Sequence, residues 1–357
     1  MSDNTTVVRS GADLRSRAHF RNPMLALLAV VALALGLAAC SADNSSGTGK
    51  SDANFEKVTI QHALGTAEIT SKPERVVTLG QGSAETAIAL GTIPVAMEKY
   101  EWGADESGYL PWVKEAVEEK GAELPALIKG RDDLSAEEVL KFKPDLILAP
   151  WSGITEEQYE QLSAIAPTVA YDKEPWTITW ERQIDVVATA LGEKDRAQGL
   201  KDDINKEFEE ASEPEYKDTT FTYIYNLQTP DKLGIFMPSE QRVAFVSKLG
   251  LTLDPVVDEF KDKVKAGTDS AEISQENLDK LDSSDLIFTF YMDNEVRKLM
   301  HEDPFYANIP AIKKGAEVAL TNQSLVTATS MINPLSVPWA MDRYKEKINE
   351  AIEKAKS

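Results

Sequence analysis

The sequence predicts an α/β protein with two lobes, each containing a mainly parallel sheet, joined by one long rigid helix. Short apolar segments typical of strands alternate with helical segments between residues 75 and 171. A helical pattern without proline then runs from 179 to about 211, and the alternation restarts at 220. Such alternation is typical of βαβ units. The chain length, 357 residues, suits two domains.

The first lobe is predicted from four strands and four helices. The strands are expected at 75–79, 93–97, 145–150 and 168–171, and the helices at 84–90, 107–120, 135–142 and 156–165. The long helix follows, with its apolar positions on one face: Ile184, Val187, Ala188, Leu191, Leu200, Ile204 and Phe208. Gly192 and Gly199 are its weak points, and the apolar face has a break near Gly192. Its length suits a rigid spacer between lobes.

The second lobe repeats the pattern of the first. Strands are expected at 220–227, 286–291 and 316–320, and helices at 242–249, 274–281 and 335–354. The segment LSAEEVLKFKPDLILA (134–149) is echoed by ISQENLDKLDSSDLIFT (273–289). Ser135 and Ser274 suit helix N-caps, and Ser135 with Glu138 fits a capping box. The echo indicates two similar lobes, although two ordinary helix–strand units could match by coincidence.

The N-terminus has the pattern of an export signal. Four arginines lie within residues 1–23, followed by the apolar run MLALLAVVALALGLA (24–38), which is short for a bilayer span. Leu37-Ala38-Ala39-Cys40 resembles the lipobox of bacterial lipoproteins, which predicts a signal peptide over 1–39 and lipidation of Cys40. Polar residues 40–55 are expected to form a flexible tether. An uncleaved anchor, or a secreted protein with a stray cysteine, are the alternatives.

The composition excludes several classes of function. Acidic residues outnumber basic ones by 59 to 38, giving a net charge of −21 that repels nucleic acid. Because Cys40 is the only cysteine and there are three histidines, neither a disulfide framework nor a thiolate or histidine metal cluster is expected. No Ser-x-Gly elbow or P-loop indicates an enzyme.

Six stretches, in order, resemble one known family. They are PERVVTLGQGSAETAIALG (73–91), LSAEEVLKFKPDLILAP (134–150), YEQLSAIAPTVAYD (159–172), TWERQIDVVATALGEKDRA (179–197), ISQENLDKLDSSDLIF (273–288) and DPFYANIPAIKKGAEVAL (303–320). The chain is thereby similar to the substrate-binding lipoproteins of bacterial ABC importers for ferric siderophores, haem and cobalamin. The resemblance implies a class III periplasmic-binding-protein-like fold with Rossmann-like lobes. The expected lobes are 56–177 and 213–357, with 178–212 as the bridging helix.

The resemblance also implies a function. We expect a monomer, lipid-anchored on the extracytoplasmic face of the cell membrane, that captures a ferric siderophore between its lobes and delivers it to an ABC permease dimer with its ATPase. No cofactor is expected, and iron is held by the siderophore. The siderophore class, whether hydroxamate, catecholate or carboxylate, stays open. A haem or cobalamin ligand, with Tyr291, Met292 or Met331 as donor, is an alternative, and a surface enzyme is a weaker one.

Ligands of open parallel sheets lie beyond the carboxyl ends of the strands, so the ligand-binding residues are expected on that side of each lobe. Arginine donates in a planar fork to chelating oxygens and keeps its charge. Arg131, before the helix capped by Ser135, and Arg242, at the start of a second-lobe helix, match the family's ligand-binding arginines. Arg297 is a weaker candidate. The alternative for each is a surface ion pair.

Aromatic and acidic residues complete the prediction. Trp102, Trp151, Tyr100 and Tyr291 are candidates for the cleft wall, since flat rings give large contact areas; simple packing is the alternative. Glu137 and Glu276 occupy equivalent positions in the echoed segments. The resemblance implies that each pairs with permease arginines, whereas locally each also suits a helix N-terminus.

Overall fold

The chain is described by a computed structural model covering residues 55–226, 233–264 and 268–357. Lys50–Ser357 forms one compact unit. The predicted signal peptide, Cys40 and all of the tether except Phe55 lie outside the described residues. Within the described ranges, no helix is long and apolar enough to cross a membrane.

The N-terminal lobe is a five-stranded parallel sheet with an added hairpin. The hairpin pairs β1 (Val58–His62) with β2 (Gly65–Ile69). The sheet contains β3 (Val76–Thr78), β4 (Ala96–Glu98), β5 (Ala126–Ile128), β6 (Leu146–Leu148) and β7 (Thr168–Val169), in the order β5-β4-β3-β6-β7. Its helices are α1 (Ser83–Ala89), α2 (Pro111–Glu119), α3 (Ala136–Leu140) and α4 (Glu156–Ser163). Strand β5 was not predicted.

The central strands of this lobe are buried on both faces. All residues of β3 and β6 are buried, as expected for a parallel sheet between helical layers. The strand order reverses between β3 and β6, which defines a switch point where ligands bind in such sheets. The loops after these two strands touch. Gly80 has a φ of 73°, and a Cβ there would overlap the carbonyl of Trp151.

The connection between the lobes corrects the prediction of one long helix. The structure has α5 (Trp180–Ala190), a 3-10 turn (Lys194–Arg196) and α6 (Ala197–Ala211). Gly192, with a φ of 73°, ends α5 in the left-handed conformation that commonly terminates helices. Helix α5 then packs against α1. The connection is therefore segmented.

The C-terminal lobe contains a mixed sheet. Its strands are β8 (Thr220–Asn226), β9 (Leu233–Phe236), β10 (Thr252–Leu253), β11 (Ser270–Ile273), β12 (Leu286–Phe290) and β13 (Glu317–Leu320), in the order β11-β9-β8-β12-β13 with β10 also on β8. Strands β8, β10, β12 and β13 are parallel, as predicted for a mainly parallel sheet. The unpredicted β9 and β11 pair antiparallel.

Helices surround this second sheet. The α-helices are α7 (Gln241–Lys248), α8 (Asn294–Glu302), α9 (Pro304–Ala307), α10 (Pro310–Lys314), α11 (Gln323–Ala328) and α12 (Ser336–Lys356). The 3-10 helices of this lobe span Pro214–Asp218, Pro255–Lys263 and Gln275–Ser283, whereas the one at Arg131–Asp133 belongs to the N-terminal lobe. Helix α6 packs against α12, on the C-terminal side of the segmented connection.

The echoed segments perform the same structural task in both lobes. Asp145 accepts hydrogen bonds from the backbone N–H groups of Glu74 and Arg75, at 2.8 and 2.9 Å, just before β3. Asp285 likewise accepts from the N–H of Thr220, at 2.8 Å, where β8 begins. Each aspartate therefore fixes the start of a central strand. The two echoed segments therefore place an aspartate at the start of a central strand in the same way. They differ in that the second segment forms a 3-10 helix where the first forms α3.

Candidate functional site

A cavity of about 750 Å³ lies beyond the carboxyl ends of the N-terminal strands and reaches the C-terminal lobe. The N-terminal lining residues follow β3, β4, β5 and β6, as expected for this sheet type. The lining residues are Gln81, Glu98, Lys99, Tyr100, Glu101, Trp102, Lys129, Gly130, Arg131, Asp132, Asp133, Trp151, Arg242, Thr327 and Ser330.

Five of the six predicted ligand-binding residues line this one cavity. Arg131, Tyr100, Trp102 and Trp151 come from the N-terminal lobe, and Arg242 comes from α7 in the C-terminal lobe. The fold therefore brings together side chains more than 100 positions apart in sequence. Their role in binding stays a prediction.

Arg131 has an unusual backbone. Its φ of 52° lies in the left-handed region, which is rare for a residue with a side chain. The Gln158 side-chain amide donates to the Arg131 carbonyl at 2.9 Å. The guanidinium carbon lies 5.3 Å from the centre of the Trp176 ring, within the range of a cation–π contact. The local structure thus fixes both the backbone and the head group.

Trp176 was not predicted as part of the site. Its ring packs edge-on against Trp151, with centroids 4.7 Å apart. A Cβ on Gly153 would lie 2.6 Å from Trp176 Nε1. The ring therefore occupies space that any side chain at position 153 would fill. Trp176 also has a left-handed φ, 66°. No sequence pattern links Gly153 to a tryptophan 23 positions later.

Glu98 forms a buried acidic floor in the cavity. Its carboxylate accepts a hydrogen bond from Gly80 N at 2.8 Å, and a Cβ on Gly130 would overlap the Glu98 carboxyl. Burial raises the pKa of Glu98, an effect opposed by the Gly80 N–H and the charge of Arg131. Glu98 ends β4, so the strand-end rule could have found it; the search for arginines and aromatic rings passed over it.

Tyr100 remains a protonated hydroxyl. Burial raises its pKa well above the usual range, and the nearby charges of Glu98 and Glu85 add to the effect, while Arg131 opposes it. A neutral phenol can donate a hydrogen bond. Tyr100 can therefore act as a donor at the cavity wall.

Arg242 is held by its own helix start. Glu240 caps α7, and its carboxylate accepts from Arg242 N at 2.7 Å and pairs with Nη1 of the Arg242 guanidinium. The rings of Phe236 and Phe290 lie 5.2 and 5.4 Å from the guanidinium carbon. Burial raises the pKa of Glu240, and the Arg242 charge opposes the shift. Arg242 therefore lines the cavity while its guanidinium is paired with Glu240.

Two contacts fasten the lobes at the edge of the cavity. The Ser324 hydroxyl donates to the Gly103 carbonyl at 2.8 Å, and the Thr327 hydroxyl donates to the Trp102 carbonyl at 3.3 Å. Gly103 has a φ of 86°, and a Cβ there would overlap Thr327 Oγ1, so the position has no room for a side chain. The loop that carries Trp102 is thus tied to α11.

Tyr291 is the predicted site residue that the structure places elsewhere. It is 1% exposed and does not line the cavity. Its hydroxyl contacts Glu317 and lies 2.7 Å from the Tyr306 hydroxyl. Tyr291 does follow a strand end, at β12, but its side chain turns towards Glu317 on neighbouring β13. The rule that locates strand ends does not fix the direction of a side chain.

Glu317 is the centre of a buried polar cluster. Its other oxygen is 3.0 Å from Arg297 Nη2 and 3.0 Å from His301 Nε2, both on α8. Burial would raise the pKa of Glu317, but hydrogen bonds from His301 and Tyr291 and the charges of His301 and Arg297 outweigh it, so the pKa is lowered. Arg297 is therefore part of this cluster and not of the cavity lining.

The remaining predicted residues lie outside the cavity. Glu137 is exposed in the first turn of α3, and Ser135 caps that helix by accepting from Glu138 N at 3.3 Å. Glu276 belongs to the 3-10 helix Gln275–Ser283, and its side chain lies outside the described part of the structure. Of the proposed haem donors, neither Met292 nor Met331 lines the cavity.

Comparison with known proteins agrees with the fold and the cavity. The family model described as periplasmic binding protein matches residues 76–323, and the chain belongs to this family. The chain is 27% identical, over 78% of its length and 84% of the relative, to the "Probable siderophore-binding lipoprotein YfiY" of Bacillus subtilis. It is 26% identical to the Fe(3+)-citrate-binding protein YfmC of the same organism, over 83% of this chain and 89% of that one.

A solved structure is similar as well. The chain matches PiaA of Streptococcus pneumoniae TIGR4, crystallised in complex with ferrichrome, with a TM-score of 0.75 and 30% identity. The match covers 84% of this chain and 99% of PiaA. The fold is therefore the mixed α/β architecture with parallel sheets that siderophore-binding members of the family share.

Proposed function

We propose that this protein binds a ferric siderophore in the cavity between its lobes and delivers it to an ABC permease. The observation that carries the proposal is the convergence of Arg131, Trp102 and Trp151 with Arg242 around one cavity of about 750 Å³. Such a volume suits a bulky small molecule. The name of YfiY and the complex of PiaA with ferrichrome support the same ligand class.

The iron is proposed to be coordinated by the siderophore alone. Within the described residues, no group of three or more His, Cys, Asp or Glu side chains could hold a metal ion. The protein would then recognise the outside of a finished chelate. Arginine and tyrosine donors suit the exposed oxygens of such a chelate, and tryptophan faces suit its organic body.

Tryptophan fluorescence provides the test. Because Trp102 and Trp151 line the cavity, a bound iron chelate should quench their emission, saturably and at one chelate per protein. The purified protein would be titrated with ferric hydroxamate, catecholate and carboxylate siderophores, and with haem and cobalamin. Tight binding of haem or cobalamin alone would replace the proposal by the alternative ligand class. Chemical conversion of a bound chelate would indicate an enzyme.

The membrane anchor is proposed to be a lipid on Cys40. The names of relatives such as YfiY include the word lipoprotein. Cells expressing Cys40→Ala should release the protein to the medium or accumulate an unprocessed precursor, whereas the wild-type protein should partition into detergent. Ser41→Ala is the matched control, because it leaves the thiol in place. A Cys40→Ala protein that is processed and retained on the membrane would contradict the anchor.

Glu137 and Glu276 are proposed to contact the permease. Opposite charges on the two partners would orient the complex without touching the ligand. The double variant Glu137→Ala, Glu276→Ala should therefore keep its ligand affinity and melting temperature but support less iron uptake in cells, with each single change doing less. The control is Glu118→Ala, Glu346→Ala, which removes two exposed acids from α2 and α12. Normal uptake by the first double variant would leave both residues with a local role at a helix end.

A further inference from the structure

The formal charges lining the cavity cancel. Four side chains are cationic and four are anionic. The cations are Lys99, Lys129, Arg131 and Arg242, and the anions are Glu98, Glu101, Asp132 and Asp133. The described lining residues therefore offer no net positive charge to an anionic ligand.

Most of the lining cations already have acidic partners. Lys99 Nζ lies 3.6 Å from Glu101, and Lys129 Nζ lies 3.8 Å from Asp133. The Arg242 guanidinium pairs with Glu240, which does not line the cavity and adds a further negative charge behind it. An anionic ligand would therefore have to compete with these carboxylates for Lys99, Lys129 and Arg242.

The acidic background strengthens this balance. Glu98 is fixed at the cavity floor by its hydrogen bond to Gly80 and is 6% exposed. The whole chain carries a formal charge of −21, so the long-range field also repels anions. A chelate with several negative charges would therefore be repelled both by the net charge of the chain as it approaches and by Glu98 once it is in the cavity.

We infer that the ligand is a ferric siderophore of low or positive net charge, a trihydroxamate chelate. This inference rests on the proposed function and specifies its ligand class. Each hydroxamate carries one negative charge, so three of them neutralise Fe(III). Three catecholates carry two charges each and leave the chelate with three negative charges. Polycarboxylate chelates are likewise anionic, and both classes would meet no net positive charge among the described lining residues.

The test compares ligands that share a metal core and differ in charge. Ferrioxamine B has a pendant ammonium, and its N-succinyl derivative carries a carboxylate there instead. We expect ferrichrome and ferrioxamine B to bind, and the N-succinyl derivative and ferric enterobactin, a triscatecholate, to bind at least about 10-fold more weakly. The difference should shrink in 1 M NaCl, because salt screens charge but not shape.

A protein variant tests the same idea from the other side. Asp132→Asn removes one acid from the exposed rim of the cavity. It should strengthen binding of the N-succinyl derivative about threefold and should change ferrichrome binding less, because ferrichrome has no net charge. Glu118→Gln on α2 makes the same change in net charge away from the cavity and serves as the control. Equal or tighter binding of ferric enterobactin or ferric citrate would overturn the ligand class but keep the proposed function. Binding of no ferric siderophore of any class would overturn both.

A second inference follows from a different observation, the contact between Arg131 and Trp176. The Trp176 ring is in contact with both the Arg131 guanidinium, at 5.3 Å, and the Trp151 ring, at 4.7 Å, although Trp176 does not itself line the cavity. It is seated against Gly153, where a Cβ would not fit. We propose that Trp176 is a positioning residue that holds the Arg131 head group for the ligand; this also rests on the proposed function.

Double-mutant analysis separates positioning from general stability. We expect Trp176→Ala to weaken ferrichrome binding about three- to tenfold, and to cause no further loss in the Arg131→Ala background. Gly153→Ala should reproduce the Trp176→Ala effect, because it displaces the ring without removing it. Gly199→Ala is the control, since nothing lies within 4 Å of a Cβ there.

The outcomes are distinct. Additive losses in the double variant, or Gly153→Ala binding as tightly as wild type, would show that Trp176 does not act through Arg131. Unchanged binding by Trp176→Ala, while Arg131→Ala binds weakly, would overturn the positioning role but keep the proposed function. If no ferric siderophore binds the wild-type protein, the proposed function itself fails.

Discussion

Arg131→Ala should weaken binding of the ferric siderophore about 10- to 100-fold. A charge-assisted hydrogen bond from a guanidinium in a partly desolvated cavity contributes about 1.5–3 kcal/mol, which corresponds to that range. Arg131→Lys should recover only part of the affinity, because lysine lacks the planar fork. Calorimetric titration with the tightest ligand of the panel measures each affinity.

Arg242→Ala should cause a loss of similar size, with an additional effect on folding. Removing Arg242 leaves the buried carboxylate of Glu240 without its partner, so the free energy of unfolding should also fall. The variant Arg242→Ala, Glu240→Gln removes both charges and should recover stability but not affinity. Arg343→Ala, which removes an exposed arginine of α12, is the matched control for loss of an arginine. Unchanged affinity in both Arg131→Ala and Arg242→Ala would remove this site assignment.

Glu317→Ala should lower the free energy of unfolding by about 3 kcal/mol. The change leaves the buried hydroxyls of Tyr291 and Tyr306 without their carboxylate partner, and an unsatisfied buried polar group costs about 1–3 kcal/mol. Glu317→Gln should cost less, since an amide oxygen still accepts hydrogen bonds. Denaturant titration measures the difference. Glu302→Ala, which removes an exposed acid of α8, should cost under about 1 kcal/mol.

The Glu317 effect should depend on pH with a definite sign. The folded state lowers the pKa of Glu317 below its unfolded value, roughly 4.3, so the ionised group stabilises the fold fully above that pH. The contribution disappears as the pH falls through the folded-state pKa. The stability difference between wild type and Glu317→Gln should therefore narrow below about pH 4. A difference that is constant from pH 7 to pH 3 would contradict the ionised cluster.

Sequence patterns predicted most of the fold, because the central strands carry strong signals. The apolar residues of β6 and of Leu286–Phe288 in β12, each preceded by an aspartate, mark both lobes. Strand β9 was missed because Leu233–Phe236 is short and contains Gly234, whose missing side chain makes room for the Tyr225 ring. That requirement comes from the neighbouring strand and has no local signal.

The long helix and Tyr291 show two further limits of sequence patterns. The apolar stripe breaks near Gly192 but resumes beyond it, and no proline interrupts residues 179–211, so the sequence pattern favours one helix. The left-handed turn at Gly192, and the packing of α5 against α1 and of α6 against α12, divide that helix. Tyr291 was located correctly at a strand end, but whether a ring faces a cavity or a buried carboxylate depends on tertiary packing. The same limit hid Trp176, whose partners come from distant loops.

The left-handed backbone of Arg131 has a consequence for selection at this position. Glycine, asparagine and aspartate adopt such a conformation most readily, so selection for thermal stability alone should favour them at 131. None of the three carries a guanidinium. A library of all amino acids at 131 should therefore divide, with small residues enriched among the most heat-resistant clones and arginine enriched among clones that grow when iron is scarce. No single side chain therefore satisfies both demands at position 131.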